Sequence, residues 1–347
     1  MNKHSLKHAI VSLALLVGTT GFTQSAHAGV GQKIKDAAKK AKAGLDKAGE
    51  KVKDVGTTGL NAAQTFLDPT GYVQACLTRG GRTPEKKRLT GACNGSAKFC
   101  GRRYDQVVQA MTHNGMAALK YGWSPGFANH CNKVSTQLGD GIRGLMLDSH
   151  VADGKTYVCH GNCKAGKVGL STMLKEIGDW LKANTEQVVT INWENGVSAQ
   201  QMKDAVKAAG LAEMLYVHGK ASDAWPTLRT MIDRGKRLVF FTSSNADDSW
   251  GFHSVSGFTW ENGYAAKRTA DFACKQRYGQ GPVFTLNHFL TDPLGAPHLA
   301  KKANTKANIV AHATKCQAEV KLMPTFIAVD WYELGDVFDA VRALNAN

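Results

Sequence analysis

The stretch GIRGLMLDSHVADGKTYVCHGNC, Gly141–Cys163, carries an acid and an imidazole at positions from which both could reach one substrate. Apolar residues with strand propensity (Ile142, Leu145, Leu147) run into Asp148, Ser149 and His150, as a buried strand does when it ends in polar groups. Asp153-Gly154 marks a turn, and a second short strand, Thr156 to Cys159, delivers His160 with Gly161 directly behind it, where a missing side chain lets a ligand approach. Other apolar runs end in Thr112-His113-Asn114-Gly115, in Glu194-Asn195, in Asn287-His288 and in Asp330-Trp331-Tyr332. Such ends are often plain solvated caps, but then Lys, Ser and Thr should be as frequent as histidines and acids. Two histidines facing each other can take a proton from an attacking hydroxyl and give one to a leaving oxygen, the two transfers that phosphodiester cleavage needs. That reaction also needs positive charge against the phosphate oxygens. Oxygen ligands from Asn114, Asp148 and Glu194 would suit a hard cation such as calcium. A buried carboxylate otherwise requires a histidine partner.

The elements that must hold these residues alternate. Strand-like runs lie near Val107 to Thr112, Ile142 to Asp148, Thr156 to Cys159, Val188 to Trp193, Met214 to Val217, Leu238 to Thr242, Val283 to Leu286 and Phe326 to Val329. Between them fall helical patterns at Leu170 to Lys182, Ala199 to Ala209, Leu228 to Arg234, Asn304 to Val320 and Gly335 to Leu344. Alternating β and α elements imply a parallel sheet, and eight such units imply an α/β fold closed as a TIM-like (β/α)8 barrel, with distortion allowed. In that fold the chemistry stands at the C-terminal ends of the strands, where the polar residues are.

With 347 residues, 43% of them apolar, the chain can bury a large core. Its net charge of +15 favours anionic surfaces, whether lipid, nucleic acid or glycan. No zinc-finger, helix-turn-helix or RNA-binding signature is visible, so sequence-specific nucleic-acid binding is not expected. Lys3 and Lys7 precede an apolar run, Ala9 to Val17, and Ala26-His27-Ala28 supplies a cleavage site, so residues 1–28 read as a signal peptide. Residues 29–57 read as a Lys/Ala-rich amphipathic helical arm, either solvated or drawn to anionic lipid. Residues 58–92 read as a linker or cap, and residues 93–347 as the barrel. Eight cysteines fit an oxidising destination, periplasmic or extracellular. Cys93 with Cys100 and Cys159 with Cys163 could close local loops, which leaves Cys274 with Cys316 and Cys76 with Cys131 as one assignment among many. Metal ligation by Cys159, His160 and Cys163 is disfavoured, because a strand points Cys159 away from His160.

Several ordered motifs carry a resemblance. CNGSAKFCGRRYDQVVQAMTHN, QLGDGIRGLMLDSH followed by YVCHG, VVTINWEN, WPTLRTMIDRGKRLVFFTS and PTFIAVDWYELGDVFDAVRALN resemble the phosphatidylinositol-specific phospholipase C X domain, in particular its secreted single-domain members, over roughly Cys93 to Asn345. The resemblance implies that His113 contacts the inositol 2-hydroxyl and the phosphate, and that His160 is the general acid for the diacylglycerol oxygen. It implies calcium ligation by Asn114, Asp148 and Glu194, and release of a cyclic inositol phosphate. Asp330, on the last strand beside the first, is placed to orient His113. Trp331 and Tyr332 could wall an inositol or sugar ring, or simply finish the core. Met146 stands where calcium-dependent members carry a glutamate, so one ligand is missing, and the arginine that metal-independent members carry at the position of Asp148 is absent. Arg143 is a poor substitute, since alternation puts it on the other face. The remaining histidines (His130, His150, His218, His253, His288, His298, His312) read as structural or solvated, with His150 and His288 nearest the mouth. The expected partner is an anionic phospholipid surface or a phosphoinositide or GPI-type head group, met by a monomer. The alternatives are a barrel that binds head groups or glycan without turnover, and a phosphodiesterase for glycerophosphodiesters or sphingolipids.

Overall fold

The computed structural model describes residues 68–346 apart from Pro69, Arg82, Pro84, Lys86, Lys87, Asn162 and Pro293. The expected signal peptide and Lys/Ala arm lie outside the described residues.

Eleven strands form one sheet: β1 Gln109–Thr112, β2 Ile142–Ala152, β3 Lys155–Val158, β4 Val168–Gly169, β5 Val189–Gly196, β6 Leu238–Thr242, β7 Phe252–Ser254, β8 Thr259–Asn262, β9 Gln276–Tyr278, β10 Val283–Asn287 and β11 Phe326–Val329. Their order is β7-β6-β5-β2-β1-β11-β10-β8-β9, parallel from β7 to β8, with β9 antiparallel on β8. The sheet curls on itself, because Met111 of β1, Val239 and Phe241 of β6, Val283 of β10 and Phe326 of β11 share one inner cluster. Their sequence neighbours Ala110, Leu238, Phe240, Phe284 and Ile327 belong to the outer cluster under the helices. Burial on both faces explains why these strands read as near-continuous apolar runs. The result is the expected TIM-like α/β barrel, distorted in one place. β7 and β8 do not pair with each other, and the short helix Val255–Phe258 bridges the seam between them.

Two of the eight expected barrel strands are replaced. Thr156 to Cys159 corresponds to β3, which pairs antiparallel with β2 as a hairpin above the mouth rather than joining the barrel wall. Met214 to Val217 forms a 3-10 turn, Ala212–Met214, and a single bridge from Leu215 to Leu238; Val217 is exposed, so the run lacks the second buried face a wall strand needs. The parallel positions are filled by β7 and β8. They are three and four residues long and rich in polar groups, too short for periodicity to register.

The outer layer follows the expected helical spacing. Helix Leu170–Ala183 buries Leu170, Met173, Leu174, Ile177 and Leu181 on one stripe. Helix Ala199–Ala208 opens with a capping box between Ser198 and Gln201, while Thr227 and Thr305 cap helices Leu228–Asp233 and Lys306–Val320. The expected run Asn304 to Val320 is preceded by a further helix, Pro297–Ala303, and the last helix is Val337–Asn345. Residues 58–92 are more than a linker where described: they contain the helix Tyr72–Arg79, with Val73 and Cys76 buried. The disulfides are Cys76–Cys131, Cys93–Cys100, Cys159–Cys163 and Cys274–Cys316.

Candidate functional site

β1 ends at Thr112, and the next residue, His113, donates its backbone N–H to the Val329 carbonyl of the neighbouring β11. That alignment brings Asp330, the residue after β11, alongside. His113 Nδ1 lies 2.9 Å from Asp330 Oδ1, and the carboxylate is buried. The imidazole stacks flat on Phe289, 3.9 Å between ring centroids at 4°. Its backbone carbonyl accepts a hydrogen bond from His130 Nε2 at 2.8 Å. His113 is therefore fixed through its ring, its Nδ1 and its main chain.

The second histidine is held from the other side of the mouth. β2 continues past the barrel wall and turns back as β3, so His160 hangs over Asp148, with its Nδ1 2.7 Å from Asp148 Oδ2. The Cys159–Cys163 bridge and the left-handed Gly161 close this loop tightly around the histidine. The His160 side chain is 62% exposed and the Asp148 side chain 8%. The hydrogen bond to Asp148 raises the His160 pKa above the ordinary imidazole value, with burial opposing and the negative charges of Asp148, Glu194 and Asp330 adding to the rise. Asp148 sits opposite Glu194 in the β2–β5 register, and Met146 opposite Asn192, so these four side chains share the inward face. Asn114 adopts a left-handed φ of 49° and is buried.

Of the residues expected at the site, the structure brings His113, Asn114, Asp148, His160, Glu194 and Asp330 to one mouth. It does not bring Trp331 or Tyr332. Trp331 turns the chain with a φ of 44°, and both rings are buried in the outer cluster. The Tyr332 hydroxyl donates to Asp140 Oδ2 at 2.9 Å, so neither ring walls the mouth. His288 also faces outward, donating from Nε2 to the Ala303 carbonyl at 3.0 Å and meeting His312 Nδ1 at 2.9 Å. Arg143 is buried against Gln187 and the Leu138 carbonyl on the outer face, as alternation requires.

The donor set at the mouth does not fit a resident calcium ion. Asp148 spends one oxygen on His160, Glu194 is exposed, and the third inward position of β2 is the thioether of Met146, a soft group that a hard cation ignores. Among the described residues, one trio of His, Cys, Asp or Glu donors converges closely, Cys274, His312 and Cys316, and its two sulfurs are bonded to each other.

Other residues at this face could not be read from strand ends. Glu261 of β8 is buried, and burial raises its carboxyl pKa against the opposing charge of Arg277 on β9, with which it pairs. The Arg277 guanidinium lies 4.2 Å from the centroid of Tyr264, Tyr264 stacks on Phe289 at 6.3 Å, and Phe289 carries His113. A cation and a half-exposed tyrosine thus stand on the His113 side of the mouth. Their signal in the sequence, isolated polar residues in and beside strands of three or four residues, is too weak to find.

The family model PI-PLC X 1 matches residues 99–345. An uncharacterized secreted protein of Arthroderma benhamiae is 29% identical over 315 residues, covering 82% of this chain and 69% of that one. A PI-PLC X domain-containing protein 1 from the same organism is 28% identical over 281 residues, covering 73% of this chain and 89% of that one. A mutant phosphatidylinositol-specific phospholipase C from Staphylococcus aureus shares the fold with a TM-score of 0.52 at 14% identity, covering 76% of this chain and 99% of that one.

Proposed function

Because the chain belongs to the PI-PLC X family, we propose that it is a phosphoric diester hydrolase that cleaves a phosphatidylinositol or GPI-type head group at a membrane surface. One observation carries this reading: each of two histidines has its Nδ1 held by a buried carboxylate, which leaves both Nε2 atoms to exchange protons with a substrate. In this mechanism His113 Nε2 takes the proton of the inositol 2-hydroxyl as that oxygen attacks phosphorus. The bond from phosphorus to the diacylglycerol oxygen breaks, and His160, protonated through its pairing with Asp148, donates its proton to that oxygen. The products are diacylglycerol and a cyclic inositol phosphate. Asp330 and Asp148 stabilise the imidazolium formed or consumed at each histidine. Positive charge against the phosphate comes from protonated His160. No step runs through calcium, for which Asn114, Asp148 and Glu194 form an incomplete set.

Four disulfides and a relative named as secreted support an oxidising destination. The net charge of +15 supports peripheral attraction to anionic lipid. Met146 favours a second reading, a barrel that keeps the head-group site without turnover. A third substrate class, glycerophosphodiesters or sphingolipids, separates from the first by its products. The deciding experiment follows phosphorus NMR of phosphatidylinositol vesicles with the disulfide-intact protein, once with calcium and once with a chelator. A cyclic phosphate signal in both conditions is the expected result. Vesicle binding without product would replace the enzyme reading by the binding one.

A further inference from the structure

The segment between β1 and β2 reaches back over the His113–Asp330 pair. Asn129 Nδ2 donates to Asp330 Oδ1 at 2.9 Å, the same oxygen that meets His113 Nδ1. Asp330 Oδ2 is buried and has no hydrogen-bond partner among the described residues. A carboxylate with both donors on one oxygen cannot turn about its terminal bond without losing both. The Asn129 main chain is tied as well: its N–H donates to the Ala117 carbonyl at 2.7 Å, and its carbonyl accepts from the Trp331 N–H at 2.6 Å. The next residue, His130, holds the His113 carbonyl, and the one after, Cys131, is bonded to Cys76 of helix Tyr72–Arg79. On the same helix, Tyr72 packs edge-on against Trp331, the residue that follows Asp330, with 5.9 Å between ring centroids.

We propose that Asn129 is a positioning residue that locks the Asp330 carboxylate against His113 Nδ1, and that helix Tyr72–Arg79 braces Asn129 from outside through Cys76–Cys131. The lock keeps the His113 proton on Nδ1 and leaves Nε2 bare to act as a base. When Asp330 is free to turn, the Nε2–H tautomer competes, and that tautomer cannot accept the substrate proton. The helix lies before the matched region, so a part of the chain outside the family match takes part in orienting the base. The catalytic meaning of the lock rests on the proposed function; the lock itself does not.

The test reads the His113 ring nitrogens by 15N NMR in the full mature protein, alongside turnover of phosphatidylinositol vesicles. The wild type is expected to hold Nδ1–H alone. Asn129→Ala is expected to populate the Nε2–H form and to lower kcat about 10- to 100-fold with KM unchanged, the scale on which misorientation of a reacting group acts. Asn129→Gln, which keeps an amide donor, should recover part of the tautomer preference. A Cys76→Ser/Cys131→Ser variant should shift the tautomers in the same direction by less. A wild-type tautomer ratio in Asn129→Ala, with backbone spectra unchanged elsewhere, overturns the proposal whatever the turnover. Absence of turnover in the wild type leaves the NMR result standing and counts against the proposed function alone.

Discussion

His113 meets Asp330 across neighbouring parallel strands of the barrel wall, stacked on Phe289 and held at its carbonyl by His130, whereas His160 meets Asp148 from a disulfide-closed loop on an antiparallel extension. The first imidazole is 22% exposed and the second 62%. The contrast follows from what each would do. A base must present one lone pair to one hydroxyl, so every degree of freedom removed beforehand lowers the barrier. An acid must recover a proton from water after each turnover and must reach a leaving oxygen whose lipid tail stays in a bilayer. Rigidity suits the former, and a solvent-facing perch suits the latter.

The largest expected effects separate the two roles. His113→Ala and His160→Ala should each cost on the order of 10²–10⁴-fold in turnover of phosphatidylinositol, the usual scale of acid–base catalysis. A substrate analogue with an acidic phenol as leaving group should restore most of the rate to His160→Ala and none to His113→Ala. Equal rescue of both would erase the distinction between base and acid.

Asp148→Asn sharpens the comparison by a shift rather than a loss. The bond to Asp148 is the main cause that raises the His160 pKa, and His160 must be protonated to donate. Without it the alkaline limb of the pH–rate profile should move to lower pH. Asp330→Asn should instead depress the rate across the whole profile, since it disturbs orientation. An unmoved alkaline limb in Asp148→Asn would take the acid role away from His160.

Met146→Glu adds a third carboxylate to the inward face that already carries Asp148 and Glu194. It should bind calcium, measurable by titration calorimetry, and make turnover sensitive to chelators, to which the unaltered protein should be indifferent. Chelator sensitivity of the unaltered protein would show that two carboxylates and Asn114 suffice.

The smallest effect concerns stability. Burial pushes the pKa of His130, His253 and His312 down to about 4 and of His288 to about 3, from 6.5. These folded values lie below the unfolded one, so their contribution is intact above pH 6.5 and is lost as the pH falls from there toward 4. Each refused proton steepens the loss by about 1.4 kcal/mol per pH unit. Glu333 has the opposite sign: burial pushes its carboxyl up to about 8 from 4.5, so its contribution is present below 4.5 and lost as the pH rises through 8. Melting temperatures from pH 4 to 8 should show both slopes, and Glu333→Gln should flatten the alkaline one.

Much of this arrangement was legible in the residues, and the limits have physical causes. β6 is apolar on both faces, and β2 and β5 run from buried residues into Asp148 and Glu194, so both the wall and the two acids at its mouth could be read from them. β7 and β8 carry the buried polar residues His253, Glu261 and Asn262, and only pairing with neighbours makes them strands. Of the two readings of Trp331 and Tyr332, finishing the core is the one that holds, because the left-handed turn at Trp331 ends the alternation that would aim a ring at the mouth. Asn129 was invisible for a different reason: it sits in a loop and meets Asp330 across 201 residues of chain. No local pattern encodes a contact of that kind.

The unpaired seam between β7 and β8 has a consequence for self-association. A closed barrel offers no strand edge to another molecule, but an open one offers two, each a template for intermolecular pairing. Here one margin is β7, three residues long, with Phe252 bridged to Asp247 of its own chain. The other is β9, also three residues, exposed and bearing Arg277. Behind it stands Gly279, where any Cβ would strike the Thr259 carbonyl. Both margins are too short and too polar to serve as such templates, so an unsealed barrel does not by itself invite edge-to-edge pairing.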